Sequence, residues 1–237
     1  MAFQHGKATA VIGDEIALTG YLNQVQATGS VQTVTTTVFG LDDETFIAGN
    51  GSGSLSMSGL FDGAASASDA ELWGALAAAS GKVVTIGHGG LTIGNGATLL
   101  SGRLNSYNVQ SPTNDAVRVS ATWDADGGVR GGVALHDLEA ETTTGNYTAV
   151  DNTTSTANGG VGHLHVTSFT GTSVDIRIQD SPDNAIWTDL IAFTSVTGAT
   201  QERSTVTGTV DRYVRAIINA GTFTSVTFTV AFARNHR

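Results

Sequence analysis

Apolar and polar positions along most of this chain alternate with a period of two, the pattern of strands that bury one face and wet the other. Residues 54–61 show it most plainly. Leu55, Met57 and Phe61 fall on one side, and Ser54, Ser56 and Ser58 fall on the other. Residues 31–38 are β-branched throughout except for Gln32. Neither stretch contains a charged side chain, so the wet face is small, smooth and hydroxylated, with Thr33, Thr35 and Thr37 beside the three serines. Between them lies a glycine-rich loop, 40–53, with Asp42, Asp43 and Glu44 at its tip and Phe46 and Ile47 just beyond. The pattern predicts a long hairpin, limbs 31–38 and 54–61, with a projecting loop.

Helical periodicity occurs once. Ser68-Asp-Ala-Glu71 has the form of a capping box, in which Ser68 accepts from the Glu71 amide while Glu71 reaches back. Leu72, Ala75, Leu76 and Ala79 make a narrow apolar stripe flanked by Trp73, and Gly81 is a terminator. A helix over 68–81 is predicted, lying on the back of the sheet. Further strands are predicted at 16–22, 83–86, 99–109, 116–123 and 129–136, with Asp124-Ala-Asp-Gly-Gly128 as a turn between the last two. Residues 139–160 are polar, without periodicity and rich in Thr, Asn and Gly, which reads as a linker. Beyond it, short alternating runs near 162–168, 172–179, 185–193, 202–210, 212–219 and 223–233 predict an all-β sandwich. The fold class expected is therefore mainly β: a first domain over 1–138, a sandwich or barrel with one flanking helix, and a second domain over 161–237.

Charge narrows the possible partners. The net charge is −10 over 237 residues. Residues 1–140 hold 13 acidic against 5 basic side chains, a net −8, and residues 141–237 hold 8 against 6, a net −2. No basic patch for gripping nucleic acid is expected. The chain has no cysteine, which excludes disulfides and thiolate metal sites. The first ten residues are polar, with His5 and Lys7, so no signal peptide is expected and synthesis in a cytoplasm is. No apolar run nears the roughly 20 residues of a membrane span.

Reactive constellations are sparse. His163 and His165 have ligand-like spacing on one strand face, but nothing nearby in sequence completes a metal site, and ordinary strand histidines are the simpler reading. Gly49-Asn-Gly-Ser-Gly53 lacks the lysine and the following helix of a phosphate loop. No nucleophile elbow, zincin or kinase motif is present, so no catalytic residue, cofactor or metal is expected, and the chain is not read as an enzyme.

The first domain resembles the tail tube (major tail) proteins of long-tailed bacteriophages. The residues that carry the resemblance are the Thr-rich stretch 31–38, the loop 42–49, the run Gly53-Ser-Leu-Ser-Met-Ser-Gly-Leu-Phe-Asp-Gly63, the helix 68–81, and the stretches 117–123 and 131–135. It spans roughly residues 5–137 and is a likeness of order and composition. The second domain is similar to the C-terminal modules such proteins carry, which are often immunoglobulin-like. Its Ser181, Asp183 and Trp187 spacing and its Arg212-Tyr-Val-Arg215 strand resemble discoidin and galactose-binding-like sandwiches. The resemblance implies a structural virion protein of the tail, assembled in the host cytoplasm. Its subunits would form hexameric rings stacked into a tube, meeting tape measure, tail terminator and baseplate proteins. Double-stranded DNA would pass through the lumen without specific binding. Thr33, Thr35, Thr37, Ser54, Ser56 and Ser58 would line that lumen. The arm before Ala10 and the loop bearing Asp42, Asp43, Glu44, Phe46 and Ile47 would bridge rings. The alternative is a carbohydrate-binding virion surface protein contacting the host envelope, with Asp183, Trp187 and Arg212 as the glycan site. A hydrolase with an accessory sandwich is the third class, disfavoured by the missing catalytic constellation.

Overall fold

A computed structural model describes residues 6–39, 42–64, 68–78 and 80–235. Its strands are β1 (Ala10–Gly13), β2 (Ile16–Ala17), β3 (Leu22–Thr35), β4 (Phe46–Leu60), β5 (Lys82–Gly87), β6 (Gly96–Gln110) and β7 (Arg118–Glu141). They continue as β8 (Gly145–Asn146), β9 (Val150–Asp151), β10 (Gly160–Ser181), β11 (Thr188–Ala192), β12 (Thr200–Val206) and β13 (Tyr213–Arg234). Among the described residues one α-helix, α1 (Ser68–Ala77), packs on β6, and a single 3-10 turn, Gly6–Ala8, precedes β1. All 13 strands belong to one antiparallel sheet with the main order β11-β10-β13-β7-β6-β5-β1-β2. The mainly β class read from the alternation is what the structure shows.

Three strands are far longer than their sequence signals suggest. The Asp124-to-Gly128 segment, expected as a turn, lies inside β7 as a bulge. Leu100 pairs with Val129 and Gly102 with Ala125, so β7 spends three residues where β6 spends one. Gly127 and Gly128 take φ of 85° and 80°. That is the left-handed conformation a bulge needs and a β-carbon resists. In β10 and β13 the expected breaks near Gly171 and Gly221 are also paired, with Gly171 opposite Phe223 and Val174 opposite Gly221. A β-carbon on Gly171 would stand 2.5 Å from the Phe223 backbone, so that glycine permits a close crossing rather than a reversal.

The segment read as a linker is tied to the sheet. Glu139 and Glu141 end β7, paired with Phe228 and Val226, and β8 and β9 pair with β13. The Tyr147 and Asn152 amides donate to the carbonyls of Ala216 and Arg212. Each half has its own buried cluster, one around Leu55, Leu100 and Trp123 and the other around Leu164, Val174 and Phe228. Between them Ala97 and Leu99 of β6 pack on Ala231 and Ala233 of β13, and Leu135 of β7 enters the second cluster.

The predicted capping box is not made. Ser68 is buried with no partner for its hydroxyl, and the Glu71 carboxylate turns instead toward Lys82, 3.7 Å away. The Asp69 amide donates to the Asp62 carbonyl. The helix ends earlier than residue 81, its last turn tightening as the Ala78 amide bonds the Ala75 carbonyl. Leu72 and Ala75 are buried and Trp73 is exposed, its ring edge-on to Tyr107 at 5.2 Å. Ala79 of the expected stripe lies outside the described residues.

Candidate functional site

The hairpin of β3 and β4 is longer than its two predicted limbs and begins sooner on each side. Ser54 to Leu60 of β4 also pair with β7, from Asp124 to Arg118, so this half of the hairpin is seated in the sheet. Residues 46–53 pair with β3 alone, and at the base of this stretch Gly53 lies close against Val129 of β7. The expected loop 40–53 is therefore mostly strand.

Opposed residues in an antiparallel sheet share a face. Ser54, Ser56 and Ser58 lie opposite Thr28, Gln26 and Gln24 on β3, and opposite Asp124, Thr122 and Ser120 on β7. On β6 the same rows continue into Arg103, Ser106 and Asn108. The result is a hydroxyl- and amide-rich face four strands wide, with few charges. Asp124 there accepts from the Asn105 amide at 2.8 Å. The reverse face buries Leu55, Met57, Val119, Ala121 and Trp123 under α1. Sequence reasoning identified one strand of this face. It missed the contributions of β6 and β7, whose alternation was visible but whose neighbours were not.

The threonines do not all join that face. β4 carries an extra residue where Val31 pairs with Gly51 and Thr33 with Ala48. Counting by twos along β3, Thr33 and Thr35 share the side of Val25 and Ala27, whereas Thr28, Ser30 and Gln32 share the side of the serines. Thr37 closes the turn by accepting from the Thr45 amide at 2.9 Å.

Asp42, Asp43 and Glu44 are exposed between the strands, and Gly40 and Leu41, like residues 1–5 of the arm, lie outside the described residues. Phe46 and Ile47 are more than half exposed, as is Val38, with Phe39 fully so and Val31 and Val34 about half. The free end of the hairpin thus sets exposed apolar side chains, Val38, Phe39, Phe46 and Ile47, on either side of three exposed carboxylates.

The second half holds the three candidate glycan residues in separate local networks. Asp183 caps its own loop, accepting from the Ile186 and Ala185 amides and from Ser181, which together hold its carboxyl below the usual range. Arg212 forms a bidentate pair with Asp151, whose pKa the guanidinium hydrogen bonds bring to about 2. Trp187 lies under Arg215, not Arg212, with the guanidinium 4.0 Å from the ring centre.

His163 and His165 are wholly buried where β10 meets β5. Nδ1–H of His165 donates to the Asp14 carbonyl at 2.7 Å, leaving Nε2 to accept from the Thr85 hydroxyl at 2.8 Å. The Thr85 oxygen is then the acceptor for Nδ1–H of His163 at 3.1 Å. Burial pushes His163 well below the ordinary imidazole range and His165 to about 4. Both nitrogens of His165 have protein partners within the interior. Asp14 turns the chain there with φ 52°, accepts from the Val83 amide and pairs with Lys82 at 2.6 Å.

No protein-family model and no curated protein matches the chain. Among solved structures it is similar to a chain of the virion of a native gene transfer agent particle, at TM-score 0.44 and 15% identity, over 54% of this chain and 97% of that one. It is similar to the SPP1 tail tube at TM-score 0.47 and 11% identity, over 55% and 81% of the two chains. It is also similar to SPP1 Dit, described as part of a hub adsorption apparatus in phages infecting Gram-positive hosts, at TM-score 0.39 and 13% identity, over 96% and 99%.

Proposed function

We propose that this chain is a structural subunit of a bacteriophage-type tail that assembles with copies of itself into rings stacked as a tube. The observation that carries the reading is the β3–β4 hairpin. Among the described strands β3 pairs with β4 alone, so its outer edge presents unpaired amides and carbonyls over 14 residues with no charge to block them. Such an edge is an aggregation hazard in a lone subunit. Pairing with the next copy removes the hazard, and head-to-tail pairing that closes by rotation makes a ring.

The apolar end of the hairpin supports the same reading. Phe46 and Ile47 are already close to half buried, so burying the rest against a neighbouring copy would contribute about 1–1.5 kcal/mol each. The hydroxyl-rich face of β3, β4, β7 and β6 is proposed as the lumen, since a polyanion slides past a surface with few cationic anchors, and the two there lie beside carboxylates, Arg103 opposite Asp124 and Arg118 paired with Asp115. In this reading Ser54, Ser56 and Ser58 line the channel together with Thr28, Ser120 and Thr122, and Asp42, Asp43, Glu44, Phe46 and Ile47 reach the adjacent ring. Six-fold stoichiometry, DNA transit and the tape measure, terminator and baseplate contacts belong to the proposal. The glycan-binding alternative has less support, because Asp183 and Arg212 are each committed to other partners.

Electron microscopy of the purified chain over rising concentration is the test. Rings or tubes are expected from the wild type. The double variant F46D/I47D should keep its unfolding midpoint and remain monomeric. Wild type that stays monomeric at hundreds of micromolar, or a double variant that assembles normally, would overturn the reading.

A further inference from the structure

Where β7 crosses from the first buried cluster to the second, its register against β13 slips. His136 faces Val230 and Glu139 faces Phe228, so Asp137 and Leu138 are accommodated opposite Thr229 alone. An unbroken strand would put His136 on one side with Leu138 and Ala140, and Glu139 and Glu141 on the other. The slip rephases the strand. An imidazole nitrogen of His136 and carboxylate oxygens of Glu139 and Glu141 come within 4.8 Å of one another. Asp137 leaves this group and accepts from the Ile93 amide.

The histidine is held ready for a ligand. It is completely buried, stacked on Phe228 at 3.9 Å between ring centres and met edge-on by Tyr147 at 4.1 Å. Its Nδ1–H donates to the Phe228 carbonyl at 3.2 Å. An outer hydrogen bond of this kind orients a metal-binding imidazole. In the neutral ring it leaves the lone pair on Nε2, which has no hydrogen-bond partner. The Glu141 Oε1 atom stands 3.4 Å from it. A lone pair facing a carboxylate at that distance is repulsive unless a proton or a metal cation lies between them. The Tyr147 hydroxyl is buried beside the same two carboxylates without a properly formed hydrogen bond.

We propose that His136, Glu139 and Glu141 form a binding site for a divalent transition-metal ion of the zinc class. One imidazole and two carboxylates are a donor set such ions accept. The Nε2-to-Oε1 separation is close to the roughly 3.4 Å edge of a tetrahedron with bonds of about 2.1 Å. Glu139 is exposed, so its carboxylate can close on the ion from the solvent side, and a fourth position is left for water. The ion fastens β7 at the point where its carbonyl at His136 also accepts from buried Thr229, between the two buried clusters.

The test uses the full, tag-free chain, stripped with a chelator, with Zn²⁺ as the probe. Calorimetry should show one equivalent bound, and the thermal midpoint should rise with Zn²⁺ concentration. The H136Q, E139Q and E141Q variants should each weaken uptake at least about tenfold, while H88Q, which removes an exposed histidine, should not. Because Glu139 is exposed, E139Q reports on the site even if H136Q does not fold. Absence of stoichiometric uptake by the folded wild type, or uptake unchanged in E139Q and E141Q, would overturn the assignment.

Discussion

Acid should loosen this fold in a window set by His165. The residue moves from an ordinary 6.5 to about 4 because it is buried. The chemical reason is visible in its partners. If Nε2 were protonated it would become a donor, the Thr85 oxygen would face two N–H groups, and the Thr85 hydrogen would lose its acceptor. The unfolded chain therefore binds the proton more readily than the folded one between about pH 6.5 and pH 4, so stability falls as pH falls through that range. Lowering a pKa by that much corresponds to about 3.4 kcal/mol. Partial titration makes the loss about 2 kcal/mol at pH 5 and about 3 kcal/mol at pH 4. His163 is depressed as well and adds in the same direction. Carboxylates held low by partners, such as Asp151 at about 2, begin to lose their contribution only below about pH 5 and lose most of it below pH 4, so the slope between pH 6.5 and 5 reports the histidines. Urea unfolding at intervals from pH 7.5 to pH 4 measures the slope directly. The double variant H163Q/H165Q should be less stable at pH 7.5 and markedly flatter below it. A wild-type curve that is flat between pH 6.5 and 4.5, or a double variant with the same slope, would refute the reasoning.

Three further outcomes follow from particular contacts. D14A removes the acceptor of the Val83 amide and the partner of Lys82 at a buried left-handed turn. It should cost about 3 kcal/mol in chemical unfolding, and D14N, which keeps an acceptor and tolerates that conformation, should cost less than half as much. G132A places a methyl group 2.3 Å from the Phe232 carbonyl where β7 meets β13, while the methyl of G131A meets nothing. In urea unfolding G132A should destabilise the fold by about 2 kcal/mol or more, and G131A should not. S56K sits on the exposed polar face. It should change stability by no more than about 0.5 kcal/mol; under the tail-tube reading, virions carrying it should eject DNA slowly, and normal ejection would count against the lumen assignment.

Alternation alone determined a good deal of this protein. A period of two in 54–61 and 117–123 reports which side chains prefer water, a local property of the residues, and it placed Leu55, Met57 and Trp123 inside and the serines outside. The absence of charge from residues 31–38 and 54–61 was equally legible, and with it the surface on which the proposed function depends. Glycine and aspartate clusters were read less well, because they report where the backbone can take unusual angles and not whether the chain reverses there. Asp124 to Gly128 became a bulge, and Gly171 and Gly221 became crossing points, because a partner strand continued alongside in each case. Only the tertiary structure could decide the phase of a strand beyond such a slip. That phase gathers His136, Glu139 and Glu141 from positions that simple alternation would have sent to opposite faces, and the register of β3 against β4 sets Thr33 and Thr35 on the side away from the serines.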